Sequence, residues 1–429
     1  MKTKLVIFGI TGDLAQRKLL PALAHIIEEG RFEELNIIGV SRHQVNQGQV
    51  LGDYYDKLNH LTSVYQMDLG NPEDYHCLRD YINQQEDEQT LFYLSVPPDS
   101  TSQIVENLGL AGLNGPSDKL LLEKPFGRDL ASAHQMIDNT AAFFNEEQVY
   151  RIDHYLAKEM AQNIVTFRAS NAIFAHLWSN QYIERIEVLA LEAIGVEGRA
   201  AFYEQTGALR DIAQGHLLQL LALTLLPIPD DLHWDNLPAL RLKALRALEI
   251  ADPSRSVRAQ YEGYRDEVGN HESMVETFVS MELKSNDPRW ERVPMALTTG
   301  KALDRKKTEV RVHFRRMNEA QSNYLVFHIQ PNEGIAIDLL TKKPGYDQEV
   351  EHQKLSYMYS SDTRLPDAYE QVLDDAINSR KSLFATSEEV IRAWEILAPI
   401  QDAWNGDMPL EFYPVGGSAR PIIQSGIKA

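Results

Sequence analysis

The chain has 429 residues, 43% hydrophobic and 24% charged, the composition of an ordinary globular protein with two or three domains. Its 42 Lys and Arg against 62 Asp and Glu leave a formal charge of −20 at pH 7, which repels polyanions and excludes nucleic acid and anionic membranes as principal partners. One cysteine, Cys77, excludes an internal disulfide framework and a Cys-rich zinc site, and no metal is expected.

At the start, the apolar run 5–10 is too short for a signal peptide and Asp13 follows closely. The greasiest stretch, 217–226, contains Gln219 and stops at Pro227, short of the ~20 residues of a membrane span. These features predict a soluble protein of a reducing compartment, the cytoplasm. Residues 4–8 (KLVIF) read as a buried strand, followed by a Gly-containing turn and a helix over 14–28. Further strands are expected at 36–40, 91–96, 119–122 and 149–152, with helices at 100–108 and 130–143 between them. Strands alternating with helices predict an α/β domain with a doubly wound, Rossmann-type parallel sheet, over residues 1–152.

The pattern then changes. Residues 183–193 and 308–314 read as extended, and in the second Val310, Val312 and Phe314 alternate with Glu309, Arg311 and His313. Such alternation marks a sheet with one solvated or partner-covered face, usually antiparallel. Strands at 274–283, 324–329 and 334–341, a helix at 211–226 that is apolar nearly all round, and helices at 368–379 and 387–404 complete the chain. The second domain, 153–429, is predicted to be α+β on a mostly antiparallel sheet.

Gly9-Ile-Thr11-Gly12-Asp13-Leu14 lies between the first strand and helix, where glycines let backbone approach a pyrophosphate and a helix N-terminus attracts it. An ordinary tight turn is the alternative. The second strand ends in Ser41-Arg42-His43, without the acid that usually holds an NAD ribose, so Ser41 and Arg42 suit the 2′-phosphate of NADP unless Arg42 is only a surface residue. In Glu123-Lys124-Pro125-Phe126-Gly127, Lys124 follows a parallel strand, where such sheets bind ligands; a snorkelling surface lysine is the alternative. The segment 151–159 (RIDHYLAKE) is dense in polar chemistry. A helix starting near Asp153 would put His154 and Lys158 on one face beside Tyr155, a set suited to a phosphomonoester, or Asp153 would simply cap that helix. On the greasy helix, His216 is a core residue or a general base, and Asp211, five residues earlier, would not face it in an α-helix.

Taken together, residues 9–18 (GITGDLAQRK), 123–127 (EKPFG), 151–159 (RIDHYLAKE) and 207–219 (GALRDIAQGHLLQ) resemble the glucose-6-phosphate dehydrogenase family. So do 293–303 (VPMALTTGKAL), 330–334 (QPNEG), 341–345 (TKKPG) and 366–377 (PDAYEQVLDDAI), in the family's order and over nearly the whole chain. The resemblance implies oxidation of C1 of glucose 6-phosphate to 6-phosphogluconolactone, the first step of the oxidative pentose phosphate pathway, with NADP as acceptor and NAD as a weaker alternative. It implies that His216 removes the C1 hydroxyl proton, with Asp153 orienting the imidazole across the domain cleft. It makes His154, Tyr155 and Lys158 the phosphate clamp, and Glu192, Asp211, Lys301 and Lys306 sugar-binding residues. Lys124 would lie between sugar and cofactor, and Gly9, Thr11, Gly12, Asp13, Leu14, Ser41 and Arg42 would hold the cofactor. The family forms dimers through its large C-terminal sheet, which implies a homodimer.

The sequence also departs from the family pattern. Gly215 replaces the asparagine of Q-N-H, Ala157 the glycine of H-Y-L-G-K, and Thr298 the arginine of L-R-T-G-K. The I-D-N-W-R-W run survives only as 285–290 (SNDPRW), and the C-terminal Y-P-A-G-S-W-G-P as 413–421 (YPVGGSARP). These changes fall on the sugar side and in the C-terminal surroundings. They keep open a paralogue oxidising another phosphorylated aldose or an amino sugar, and a silent nucleotide-binding member. A dehydrogenase of unphosphorylated sugars also often carries E-K-P, but the His154–Lys158 cluster argues against it.

Overall fold

The computed structural model describes residues 2–32, 34–82, 89–316, 322–360, 362–406 and 408–426. The chain divides into two compact units, one formed by Met1–Ala157 with Pro366–Val390, the other by Lys158–Leu365 with Ile391–Ala429. The first unit is thus discontinuous, where the sequence suggested a single cut after 152.

Six strands alternate with helices in the first unit: β1 (Thr3–Phe8), β2 (Leu35–Ser41), β3 (Thr62–Gln66), β4 (Gln89–Leu94), β5 (Asp118–Leu122) and β6 (Val149–Ile152). Every residue of β1 and β4 is buried, as expected for central strands covered on both faces. In the second unit run β7 (Ile183–Leu191), β8 (Ser256–Tyr261), β9 (Phe278–Leu283), β10 (Met295–Gly300), β11 (Lys307–Phe314), β12 (Tyr324–Gln330), β13 (Gly334–Lys342) and β14 (Val350–Met358). β15 (Phe384–Ala385) belongs to the first sheet and β16 (Glu411–Tyr413) to the second.

The first sheet has the order β15-β6-β5-β4-β1-β2-β3 and is parallel except for β15. Consecutive strands run outward in opposite directions from β1, so a crevice opens between the carboxyl ends of β1 and β4. The helix Ala368–Ile377 belongs to this unit: Tyr369, Val372, Leu373, Ala376 and Ile377 join the core that holds Leu5, Ile7, Leu23 and Tyr93. Polar ties fasten it as well. Arg31 pairs with Asp374 at 2.7 Å, and the Lys119 ammonium donates to the Ala376 carbonyl at 2.6 Å.

The second sheet, β14-β13-β12-β11-β7-β10-β9-β8-β16, is antiparallel apart from the pairs β7–β10 and β8–β16. The fold classes expected from the patterning therefore both occur. The alternation in β11 is real, but its polar side chains are not simply solvated. Glu309, only 1% exposed, meets Lys307 at 2.8 Å, Arg311 at 2.5 Å and His328 at 3.4 Å, while His313 reaches Glu187 at 2.9 Å. Burial alone would raise the Glu309 carboxyl; the hydrogen bond with His328 and the Arg311 and Lys307 charges outweigh it and hold it at about 2. A folded value below the unfolded one adds stability above about pH 4.5, and that stability is lost as pH falls towards 2. Glu309→Gln should therefore cost on the order of 1–3 kcal/mol at neutral pH and flatten the acid limb of the Tm–pH curve. Parallel curves for variant and wild type would refute this.

Candidate active site

The first βα turn is built for close approach. Gly9 has φ +80°, and a Cβ there would lie 2.3 Å from the Ser95 carbonyl oxygen, so only glycine fits. A cavity of about 360 Å³ opens above it at the carboxyl ends of β1 to β4, lined by Gly9, Thr11, Gly12, Ser41, Arg42, Asp68 and Ser95 among others. Asp13 and Leu14 do not line it; Asp13 pairs with Arg17 at 2.8 Å in solvent. Ser41 is buried and Arg42 is exposed at the rim. Asp68 accepts the Gly70 N–H at 2.9 Å, so it is engaged by its own loop. The Ser95 hydroxyl is buried without a hydrogen-bond partner among the described residues, an unmet demand that a polar ligand would satisfy. The residues present fit a dinucleotide.

Farther along the same strand ends, Lys124 is half-buried and its peptide bond to Pro125 is cis. The residues after β6 depart from the helix expected at 153. Asp153, 2% exposed, accepts the Tyr155 N–H on its carboxylate at 3.0 Å and the Leu156 N–H on its carbonyl at 3.0 Å. This Asx turn spends the chain locally, and the helix begins only at Glu159 with Lys158 as its N-cap. His154 and Lys158 are therefore not neighbours on a helical face. His154 instead packs against Tyr155, with ring centroids 5.0 Å apart, and stacks on Tyr369 at 6.2 Å. Lys158 donates to Gln330 Oε1 at 2.8 Å within the second unit.

Also in the second unit, Leu209–Leu217 is wound as a π-helix before Leu218–Leu225 continues as an α-helix whose eight residues are all buried. That winding alters the sequence geometry. With i→i+5 hydrogen bonds, residues five apart stack along one face, so Asp211 and His216 share a face that an α-helix would have denied them. His216 is 2% exposed. Gly207, just before this segment, has φ +63°, and a Cβ on it would lie 2.4 Å from Glu276 Oε1. Glu276 in turn accepts the Leu209 N–H at 2.9 Å and fixes the start of the π segment. Around Tyr203 gather the charges of Asp211, Glu276 and Glu192, and the Lys301 ammonium lies 5.3 Å from its ring centre. Lys301 is ion-paired with Glu192. Lys306 is exposed, one residue before the Lys307–Leu191 pairing, at the same sheet end as Glu192. Thr298, in place of the family arginine, is 1% exposed and hydrogen-bonded to Ser280 at 2.8 Å.

Sequence reasoning missed Ser95, Tyr93, Tyr203, Glu276 and Tyr369. Tyr369 alone had a signal, lying inside the 366–377 segment. Among the described residues no three His, Cys, Asp or Glu side chains are grouped to hold a metal, and no helix is long and apolar enough to cross a membrane.

A sheet switching direction over a glycine turn and a cavity with an unmet hydroxyl mark a nucleotide-binding crevice of the kind that dinucleotide-dependent oxidoreductases use. The comparisons narrow that class. Residues 6–163 match the family model "Glucose-6-phosphate dehydrogenase, NAD binding domain" and residues 165–424 its "C-terminal domain". The Bacillus subtilis glucose-6-phosphate 1-dehydrogenase is 35% identical, aligned over 98% of this chain and 95% of its own, and the Chlamydia muridarum enzyme 33%, over 97% and 93%. A solved glucose-6-phosphate dehydrogenase in complex with glucose 6-phosphate superposes with a TM-score of 0.92 at 28% identity, covering 100% of this chain and 98% of that one. The Mycobacterium avium enzyme gives 0.90 at 30%, covering 100% and 97%. The chain belongs to the glucose-6-phosphate dehydrogenase family.

Proposed function

We propose that the chain oxidises C1 of glucose 6-phosphate to 6-phosphogluconolactone with NADP, using His216 as the general base. Family membership makes the activity oxidation of glucose 6-phosphate with a pyridine nucleotide, the entry reaction of the oxidative pentose phosphate pathway; the cofactor preference and the residue roles are the proposal. The observation that carries it is the π-wound segment, which sets a buried imidazole and a carboxylate on one face within a cluster of sugar-binding residue types. When bound, the nicotinamide accepts the hydride leaving C1. His216 takes the hydroxyl proton as the carbonyl forms, and Asp153 is the carboxylate that orients and stabilises the imidazolium. Glu192, Asp211, Lys301 and Lys306 hold sugar hydroxyls, Lys124 holds sugar and cofactor together, and His154, Tyr155 and Lys158 hold the phosphate. Gly9, Thr11 and Gly12 form the pyrophosphate turn, with Asp13 and Leu14 following it outside the cavity. NAD(P)H formation against several sugar phosphates, with both cofactors, tests the reading. Faster turnover of another aldose phosphate would overturn the substrate, and no turnover of any would leave a silent nucleotide binder.

NADP preference rests on Arg42 at the cavity rim and on the missing acid at the end of β2. Arg42→Ala should raise KM for NADP about 10–100-fold, the worth of a charge-assisted phosphate contact, and change KM for NAD far less. Equal effects would make Arg42 structural. The same reading makes the chain a cytoplasmic homodimer, supported by exposed Leu355 and Tyr357 on β14 at the sheet edge. Sedimentation as a monomer would remove the dimer.

A further inference from the structure

We propose that the C-terminal segment 413–417 holds the turn that presents Lys301, with Tyr413 as a positioning residue for sugar binding. The inference rests on the assignment of Lys301 to the sugar site. Lys301 follows β10 directly and begins the turn 301–304, which sets its ammonium against Glu192 and the Tyr203 ring. The turn is held from two sides. On one, the N–H groups of Lys301, Ala302 and Leu303 donate to the carbonyls of Thr277, Ile194 and Glu192 at 2.9, 2.8 and 2.9 Å. On the other stands the C-terminal segment. The Tyr413 hydroxyl donates to the Lys301 carbonyl at 2.7 Å, the Gly416 N–H to the Ala302 carbonyl at 2.8 Å, and the Asp304 N–H to the Gly417 carbonyl at 3.0 Å.

The turn needs its second side. Ala302 has φ +50°, a left-handed backbone that a residue with a Cβ keeps only where its surroundings over-determine it. Two of the C-terminal bonds fix the peptide groups on either side of Ala302, and so its φ and ψ. Tyr413 is itself well anchored. Its buried ring packs in the cluster that holds Tyr203, Phe278, Ala302 and Leu303, and β16 pairs with β8. Its hydroxyl lies 2.9 Å from Thr277 Oγ1, which accepts the Tyr261 N–H at 2.9 Å. With the Tyr413 proton on the Lys301 carbonyl, the Thr277 hydroxyl donates to Tyr413 in turn. Losing the Tyr413 hydroxyl leaves the ring in place but frees the Lys301 carbonyl. The turn then visits other conformations, and affinity for the sugar falls with the fraction that still presents Lys301.

The test is steady-state kinetics of the full chain with Tyr413→Phe, Lys301→Met and the double variant, with calorimetric binding of glucose 6-phosphate for any variant too slow to assay. Tyr413→Phe should raise KM for glucose 6-phosphate about three- to tenfold, the range set by one buried hydrogen bond, and leave KM for NADP unchanged. A merely structural tyrosine would lower Tm and the yield of active enzyme without moving KM. In the Lys301→Met background the same change should add no further loss of affinity, because the ammonium it positions is already gone. Additive losses, an unchanged KM for glucose 6-phosphate, or an equal rise for NADP would overturn the proposal. Lys301→Met separates the two levels. If it leaves affinity for glucose 6-phosphate intact, Lys301 does not hold the sugar and the inference falls with that assignment; if it weakens binding while Tyr413→Phe does not, the C-terminal tie fails alone. Should Tyr413→Phe fail to fold, hydrogen exchange of the wild type decides. Glucose 6-phosphate should slow exchange in 301–304 and 413–417 together, and any other pattern would overturn the tie.

Discussion

His216→Asn should lower kcat by ~10²–10⁴-fold, the usual contribution of general acid–base catalysis, while KM for glucose 6-phosphate changes little. Asparagine keeps a polar side chain at this 2% exposed position but cannot accept a proton near neutrality. The loss should appear equally in kcat and kcat/KM, because the interaction removed exists only as the proton moves. Burial raises one alternative, that the smaller side chain unsettles the π-wound segment. A melting curve and equilibrium substrate binding on the same preparation exclude that. A folded His216→Asn protein with wild-type kcat would end the assignment of the base.

Lys158→Ala should lose at least about tenfold in kcat/KM for glucose 6-phosphate and much less for free glucose. A hydrogen bond to a charged group is worth roughly 1.5–3 kcal/mol, and a poorly anchored sugar also presents C1 badly. The ammonium is oriented before any ligand arrives, by its 2.8 Å bond to Gln330, whose own amide donates to Thr308 at 3.2 Å. Burial raises the nearby Glu333 carboxyl, and the Lys158 charge opposes that rise. The discriminating quantity is the ratio of the two losses. Equal losses on both sugars would mean that Lys158 supports the N-terminus of the helix Glu159–Ser170 and not a phosphate.

The parallel half of the fold was legible because its central strands are short, wholly buried apolar runs between turn signals, as in β1 and β4. β8 was not, since SVRAQY alternates polar and apolar residues yet is buried on both faces. Its polar side chains are satisfied inside, Arg258 by the Met408 carbonyl and Gln260 by the Val275 carbonyl, and no local pattern announces that. The edge strands β3 and β14 carry too few buried apolar residues to betray them. At the site, the residue types were readable but their geometry was not. A carboxylate bond to the chain two residues on turned 153–157 into an Asx turn, and π winding reversed the inference about Asp211 and His216. Neither leaves a trace in composition. The amphipathic pattern of 368–377 gave a helix, but periodicity says only that one face is buried, not against which core.

That helix's allegiance has a consequence for the order in which the protein can be made. A ribosome releases the chain from its N-terminus, and domains generally fold as they emerge. Here the core of the dinucleotide-binding unit is not complete with residues 1–157, because the apolar face formed by Leu5, Ile7 and Leu23 is completed by Val372, Leu373 and Ile377. That apolar face has its full native cover only once residue 390 is available, by which time all of 158–365 has been synthesised. The unit that begins first is therefore finished late, and a nascent chain stalled anywhere before 366 is a ready client for chaperones.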